Sequence, residues 1–199
     1  MSYYIPAIIR ETSEGTARIP VVDMMFQRRE IWISGEINSE LADAVISQIL
    51  HLDAEDPNAE ITLYIDSPGG SVTAGLAIYD VMQAVNANIR TVCVGTAASM
   101  AAVLFAAGNR REIMKHGEVM IHDPLVSGGI SGSALAVQDK SDRLMAKRKV
   151  LCGILAQHTG KTLKQIYKVT GKDTYFGAEE AVEFGLADTV IDKLERRSA

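Results

Sequence analysis

Short apolar runs of strand length alternate along the chain with segments of helical periodicity, and this alternation limits the fold more than any other feature. Residues 31–34, 61–65, 91–94, 118–122 and 189–191 read as strands. Between them, Asn38 caps a helix running to about Leu52, with Leu41, Val45, Ile49 and Leu52 on one face. A second helix places Ala77, Val81 and Val85 together, and a short small-residue helix spans about 98–107. The strands are apolar throughout instead of alternating, so their sheet must be covered on both faces. The class is α/β.

The remainder of the chain is helical with short breaks. Gly128, Gly129 and Gly132 lead into a long helix over about 133–158, with Leu144, Leu151 and Leu155 on one face and Lys147, Arg148 and Lys149 clustered midway. Thr162 and Gln165 form a capping box for a short helix, and a last helix at 178–184 is closed by Gly185. Residues 1–25 read as an irregular N-terminal segment ahead of one domain at 26–199.

With 199 residues, the chain can bury a core of its own as a single domain. A formal charge of −5 argues against nucleic acid or an anionic membrane as the main partner, since both select basic surfaces. Cys93 and Cys152 sit in apolar runs without C-x-x-C spacing, which predicts buried thiols in a reducing compartment and no zinc site. The opening residues lack a signal-peptide pattern, and the apolar stretch at 100–108 is too short to span a bilayer. These features predict a soluble, cytoplasmic protein.

Ser99 lies where an apolar strand turns into a helix, within Gly95-Thr96-Ala97-Ala98-Ser99-Met100-Ala101. A nucleophile on such a turn is exposed at the sheet edge, small neighbours permit the bend, and the helix start offers N–H groups to an oxyanion. The fragment equally fits a plain serine cap. Asp66-Ser67-Pro68-Gly69-Gly70 follows a buried strand, and its paired glycines would let backbone N–H groups approach a ligand closely. A tight turn between strand and helix explains it as well. His122 ends an apolar strand beside a loop, where a general base would sit on a rigid element. Asp123 is poorly placed to orient it, because neighbouring strand residues face opposite ways. Spacing does not choose an orienting acid among Asp139, Asp142, Asp173 and Asp188.

Taken together, these segments resemble the ClpP family, the proteolytic subunit of the ATP-dependent Clp protease. The resemblance runs through Leu52-Asp53-Ala54-Glu55-Asp56-Pro57, Tyr64-Ile65-Asp66-Ser67-Pro68-Gly69-Gly70, Thr73-Ala74-Gly75-Leu76-Ala77-Ile78-Tyr79-Asp80, the Ser99 segment, Val119-Met120-Ile121-His122-Asp123-Pro124-Leu125 and His158-Thr159-Gly160. It implies a crotonase-like ββα superhelix with a protruding handle helix at about 133–158. It further implies a serine endopeptidase with Ser99 as nucleophile, His122 as base and Asp173 as orienting acid. Gly70 and Met100 would form the oxyanion hole, with Ser71, Val72 and Leu125 binding substrate. The implied partners are unfolded polypeptides, copies of the chain in two stacked seven-membered rings and a Clp-type AAA+ unfoldase. No cofactor is implied for this chain, ATP being consumed by the unfoldase.

The sequence departs from the family pattern at contact positions. Gly171 and Lys172 stand where an Asp-Arg pair is common, and Asp123 where Gln is usual. Ser131, Ser133 and Ala136 replace a Gln- and Glu-rich stretch, while His51, Thr62 and Ala84 replace aromatics of the unfoldase-docking pocket. These changes imply reliance on a second, paralogous ClpP subunit. Two other readings compete. A crotonase-type acyl-CoA enzyme shares the fold but has no use for Ser99 with His122, and a scaffold ring would not need the catalytic groups at all.

Overall fold

The computed structural model describes residues 6–13, 15–126, 128–129 and 131–194. Within the segment expected to be irregular, the described residues form an antiparallel hairpin, β1 (Ala7–Thr12) and β2 (Gly15–Pro20), followed by helix α1 (Val21–Gln27). Ala7 pairs with Pro20 and Thr12 with Gly15. β1 begins with Ala7, Ile8 and Ile9, but both isoleucines are exposed and the run ends at Arg10, so no buried face marks the hairpin.

The body is built from repeated strand–helix units. These are β3 (Glu30–Ile37) with α2 (Ser39–Glu55), β4 (Ile61–Gly70) with α3 (Val72–Ala84), and β5 (Ile89–Ala98) with α4 (Met100–Ala106). Then come β6 (Arg110–Met114), β7 (Glu118–Ile121), α5 (Ala134–Thr159), α6 (Leu163–Thr170), β8 (Thr174–Gly177), α7 (Ala178–Phe184) and β9 (Thr189–Ile191). The parallel strands follow the order β3-β4-β5-β6-β9. β5 divides its partners: Arg90–Cys93 pair with β6, whereas Thr96–Ala98 pair with β7, which in turn holds β8 antiparallel. The result is a mixed α/β fold with a mostly parallel sheet, as the alternation of elements requires.

Most elements follow from local chemistry. The Asn38 side chain accepts the Leu41 N–H at 2.9 Å, and α2 buries Ala42, Val45, Ile49 and Leu52. In α3 the buried face is Gly75, Ile78, Tyr79 and Met82, while Ala77 is exposed. The 3.6-residue period fitted two faces, and the face carrying more apolar area is the one removed from water. Every residue of α4 is buried, which accounts for its alanines. The Thr162–Gln165 capping box of α6 forms in both directions.

Two strands of the main sheet, β6 and β8, escaped the sequence reading as well. β6 begins with Arg110, Arg111 and Glu112, charges paired inside the fold. The Arg90 side chain is 1% exposed; its Nε donates to Glu112 at 3.1 Å and its Nη2 forms a second bond to the same oxygen. Arg110 joins Glu60 and Glu112 to this network. Arg111 bonds Asp188 and donates to the carbonyls of His158 and Gly185, tying β6 to the ends of α5 and α7. β8 buries only Phe176 of its four residues and so lacks the continuous apolar run that marked the other strands. The Asp66–Gly70 stretch is also not a turn. β4 stays extended to Gly70 through a register shift against β3, with Ser67 Oγ bonded to the Gly35 carbonyl at 2.6 Å.

The long helix spans 26 residues, about 39 Å at 1.5 Å per residue. It ends at Gly160 in the left-handed conformation and seats Leu151, Cys152, Ile154 and Leu155 in the core. Leu144, expected on that face, is half-buried, and most of the helix before Leu151 is exposed. Among the described residues no helix is long and apolar enough to cross a membrane.

Removing one partner of the buried Arg90–Glu112 pair leaves charge in an apolar interior. Glu112→Ala is expected to cost about 3–5 kcal/mol, read as a lower midpoint in urea unfolding. His158 supplies a pH dependence. Burial, with the Arg111 charge adding to it, holds its imidazole below the ordinary value, and its Nε2 lies 3.2 Å from the Tyr79 hydroxyl. The unfolded chain therefore takes up a proton there more readily than the folded one. The His158 contribution is complete above its unfolded pKa of about 6.5 and is lost as pH falls below it. The melting temperature of wild type should fall more between pH 7.5 and 5.5 than that of His158→Gln.

Candidate active site

Ser99 stands between β5 and α4 with φ +55° and ψ −119°, a conformation that costs a non-glycine residue about 1–3 kcal/mol. The flanking structure holds it there. Its N–H donates to the Met120 carbonyl of β7 at 2.8 Å, and its carbonyl accepts the Ala102 N–H at 3.1 Å. Gly69 closes the turn from the β4 side. A Cβ at Gly69 would lie 2.6 Å from the Ala98 oxygen and 2.8 Å from the Ser99 Cβ, so no side chain fits. Gly75 plays the same part beneath Met100, whose side chain fills the space a Cβ would need.

The oxyanion-hole candidates fall on either side of this turn. Gly70 pairs with Ile37, and the ladder bond to the Ile37 carbonyl comes from Ser71 N–H at 2.7 Å. In a parallel ladder the N–H of Gly70 then points toward the opposite edge, where the β5 pairing has ended at Ser67 with Ala97. Met100 is the first residue of α4, so its N–H has no partner within the helix.

His122 follows the end of β7. Its Nε2 lies 2.7 Å from Ser99 Oγ and its Nδ1 3.0 Å from Asp173 Oδ1, an unbroken hydrogen-bonded chain of three side chains. The imidazole is 13% exposed and the Asp173 carboxylate 60%. The aspartates that spacing left open separate cleanly. Asp139 pairs with Arg143, Asp142 accepts from Gln138 and Asp188 is bound by Arg111. Burial alone would raise the Asp188 carboxyl, but the Arg111 hydrogen bonds outweigh it and hold the carboxyl below its ordinary value. Asp123, which like His122 lies just beyond β7 and not within it, bonds Arg148 and Thr170.

Such an arrangement can do acyl-transfer chemistry. Nε2 can take the serine proton as Oγ attacks a carbonyl, while the carboxylate fixes the tautomer and stabilises the imidazolium. A narrow apolar recess opens beside Ser99 and His122, lined by Val72, Val103, Pro124, Leu151, Cys152 and Leu155. Of the three residues expected to bind substrate, Val72 borders this recess. Ser71 caps α3 by accepting the Ala74 N–H at 3.3 Å, and Leu125 is exposed just beyond Pro124. The sequence reading missed Cys152 as part of the wall, because its only signal was an apolar run on a helix. Burial pushes its thiol above the usual range, its hydrogen bond with the Thr170 hydroxyl working against that, and pushes Cys93 to about 12. Both thiols therefore stay protonated near neutrality and are unsuited to act as thiolate nucleophiles.

The positions that depart from the family pattern lie elsewhere. His51 and Ala84 are exposed, the His51 ring 5.6 Å from that of Phe26. Thr62 is 1% exposed, so the change there alters no outer surface of the subunit. Next to it, Trp32 packs on Tyr64 with ring centroids 5.7 Å apart.

Compared with models of known families, residues 13–194 match Clp protease. With the match covering nearly all of the 199 residues, and the parallel sheet and helices agreeing with that fold, the chain belongs to the Clp protease family of peptidases.

Proposed function

We propose that the chain is the serine endopeptidase subunit of a self-compartmentalised, ATP-dependent protease of the cytoplasm. The observation that carries this reading is the continuous chain from Ser99 through His122 to Asp173, with bonds of 2.7 and 3.0 Å. Ser99 Oγ attacks the scissile carbonyl and passes its proton to His122 Nε2, which then delivers it to the leaving amine. Water hydrolyses the acyl-enzyme with the same histidine as base. Gly70 and Met100 N–H groups receive the oxyanion. Ser71, Val72 and Leu125 flank the substrate, and the recess beside Ser99 takes an apolar side chain. A crotonase-type acyl-CoA enzyme would leave the bond between Ser99 and His122 without a purpose.

The substrate is unfolded polypeptide delivered by a Clp-type AAA+ unfoldase, which spends the ATP; this chain uses no cofactor of its own. The exposed part of α5 supports its role as the handle that joins two stacked seven-membered rings. Residues 1–25 form the axial segment. His51 and Ala84 at the docking surface, with Gly171 and Lys172 before Asp173, support reliance on a second paralogous subunit. Smaller side chains offer an unfoldase loop less area to bury, and aromatic walls are a common source of interface hot spots.

Ser99→Ala is expected to lower kcat for a fluorogenic peptide by about 10⁴- to 10⁶-fold with the assembly unchanged by size-exclusion chromatography. Asp173→Asn is expected to cost on the order of 10⁴. A harmless Asp173→Asn beside a crippling Asp123→Asn would reassign the acid. For the partners, degradation of a folded, tagged substrate by this subunit with unfoldase and ATP should be slow until a paralogous subunit is added. Rapid degradation without one would remove the paralogue from the reading.

A further inference from the structure

The recess beside Ser99 is small, and what stands behind its walls keeps it so. Val72 and Pro124 are half-buried and form its rim, while Met100, Cys152 and Leu155 are buried and line its depth. Its free volume is about 20 Å³. A buried water needs about 10–15 Å³, so the recess has room for one group the size of a water molecule or a methyl.

Two of the walls have nowhere to retreat. Met100 packs into the space that Gly75 leaves on α3, where a Cβ would lie 2.2 Å from the Met100 Cγ. Cys152, on α5, places its Sγ 3.7 Å from Thr170 Oγ1, and both residues are 1% exposed. The Thr170 hydroxyl gives its one hydrogen to Asp123 Oδ1 at 2.7 Å. Its oxygen is left to accept from the thiol, so the S–H points at Thr170 and the recess meets sulfur without a donor. Asp123 is fixed in turn by Arg148 Nε at 2.6 Å. A substrate group pressing on the sulfur therefore meets hydrogen-bonded atoms whose displacement breaks a buried bond. Leu155 beside it belongs to the apolar core.

We propose that Cys152 is the specificity-determining residue of this recess and confines the substrate residue on the acyl side of the cut bond to a small apolar side chain, alanine first. This rests on the serine-peptidase reading. The methyl of alanine fits the free volume. The larger leucine side chain, or an aromatic ring, overfills it and holds the scissile carbonyl off Ser99 Oγ. Among the described residues, the lining side chains offer a polar substrate group no partner beyond Ser99, His122 and the sulfur. A charged or amide side chain would enter unpaired, at the cost of its hydration.

The test uses peptidyl diphenyl phosphonates that differ only in the residue bearing phosphorus: the glycine, alanine, leucine, phenylalanine or lysine analogue. Ser99 Oγ attacks phosphorus, its proton passes to His122 and phenoxide leaves, so intact mass reads the rate at Ser99 even where turnover is slow. In the full-length wild type the alanine probe should react about tenfold faster than the leucine probe, and about a hundredfold faster than the phenylalanine and lysine probes. Cys152→Ala should raise the leucine-to-alanine ratio about tenfold, a ratio within one variant cancelling any general loss. Cys152→Leu, which fills the recess, should lower the alanine-to-glycine ratio about tenfold. Thermal unfolding establishes that each variant is folded. A wild type that reacts fastest with the leucine, phenylalanine or lysine probe overturns the size limit. An unchanged leucine-to-alanine ratio in folded Cys152→Ala overturns the role of Cys152; should that variant not fold, the wild-type order and Cys152→Leu decide. A simple fluorophosphonate separates the two readings. Labelling of Ser99 by it, with no preference among the peptidyl probes, removes the specificity proposal and leaves the peptidase. No labelling of Ser99 by any probe removes the peptidase reading and the proposal with it.

Discussion

Gly69 and the turn at Ser99 are in direct backbone contact, and the active region depends on that contact. The two strand ends approach until a methyl group at position 69 would overlap the Ala98 carbonyl and the Ser99 Cβ. At this spacing Ser99 cannot relax into an ordinary helical start, so its φ of +55° is retained. The unfavourable conformation is offset by the buried α4 behind it and by the ladder bond to Met120 in front. The glycines at 69 and 75 are therefore structural conditions for the serine's exposure. Gly70, one residue on, lies against Ile37 instead.

Charge is organised separately from this apolar centre. Arg90, Glu112, Arg110 and Glu60 run across the ends of β5 and β6 far along the strands from Ser99, while Arg111 gathers the ends of α5 and α7 around Asp188. Such pairs are costly to bury and weak as net stabilisers, but each is costly to break. They secure the register of β6, a strand with little apolar content. The strand's composition hid it from a pattern search for the same reason that it needs these partners.

How much could be read in advance differs from residue to residue. Asn38, Thr162, Gln165 and Gly185 announced their helix ends, because caps act within a few residues of where they are written. The apolar strands were legible for the same local reason. The buried face of α3 was not, since two stripes satisfied the period and only the layer packed against it decides between them. Ser99 and His122 were visible as chemistry at strand ends, but the aspartate came from the family resemblance and not from spacing. Asp173 lies 51 positions from His122, and nothing local to it distinguishes it from Asp188 or Asp142. Cys152 shows the same limit: its place in the recess wall follows from how α5 seats on α4.

The division of β5 between two neighbours has a further consequence. Its first half is laced to β6 and its second half to β7, so the sheet forks shortly before Ser99. Ser99 ends the stem of that fork and His122 extends one of its tines, so both hang on the same ladder. The ladder continues from β7 to β8, where Thr174 pairs with Ile121 and brings Asp173 level with His122. The three side chains are thus mounted on one continuous branch of the sheet, set apart from the charge-paired branch that β6 begins.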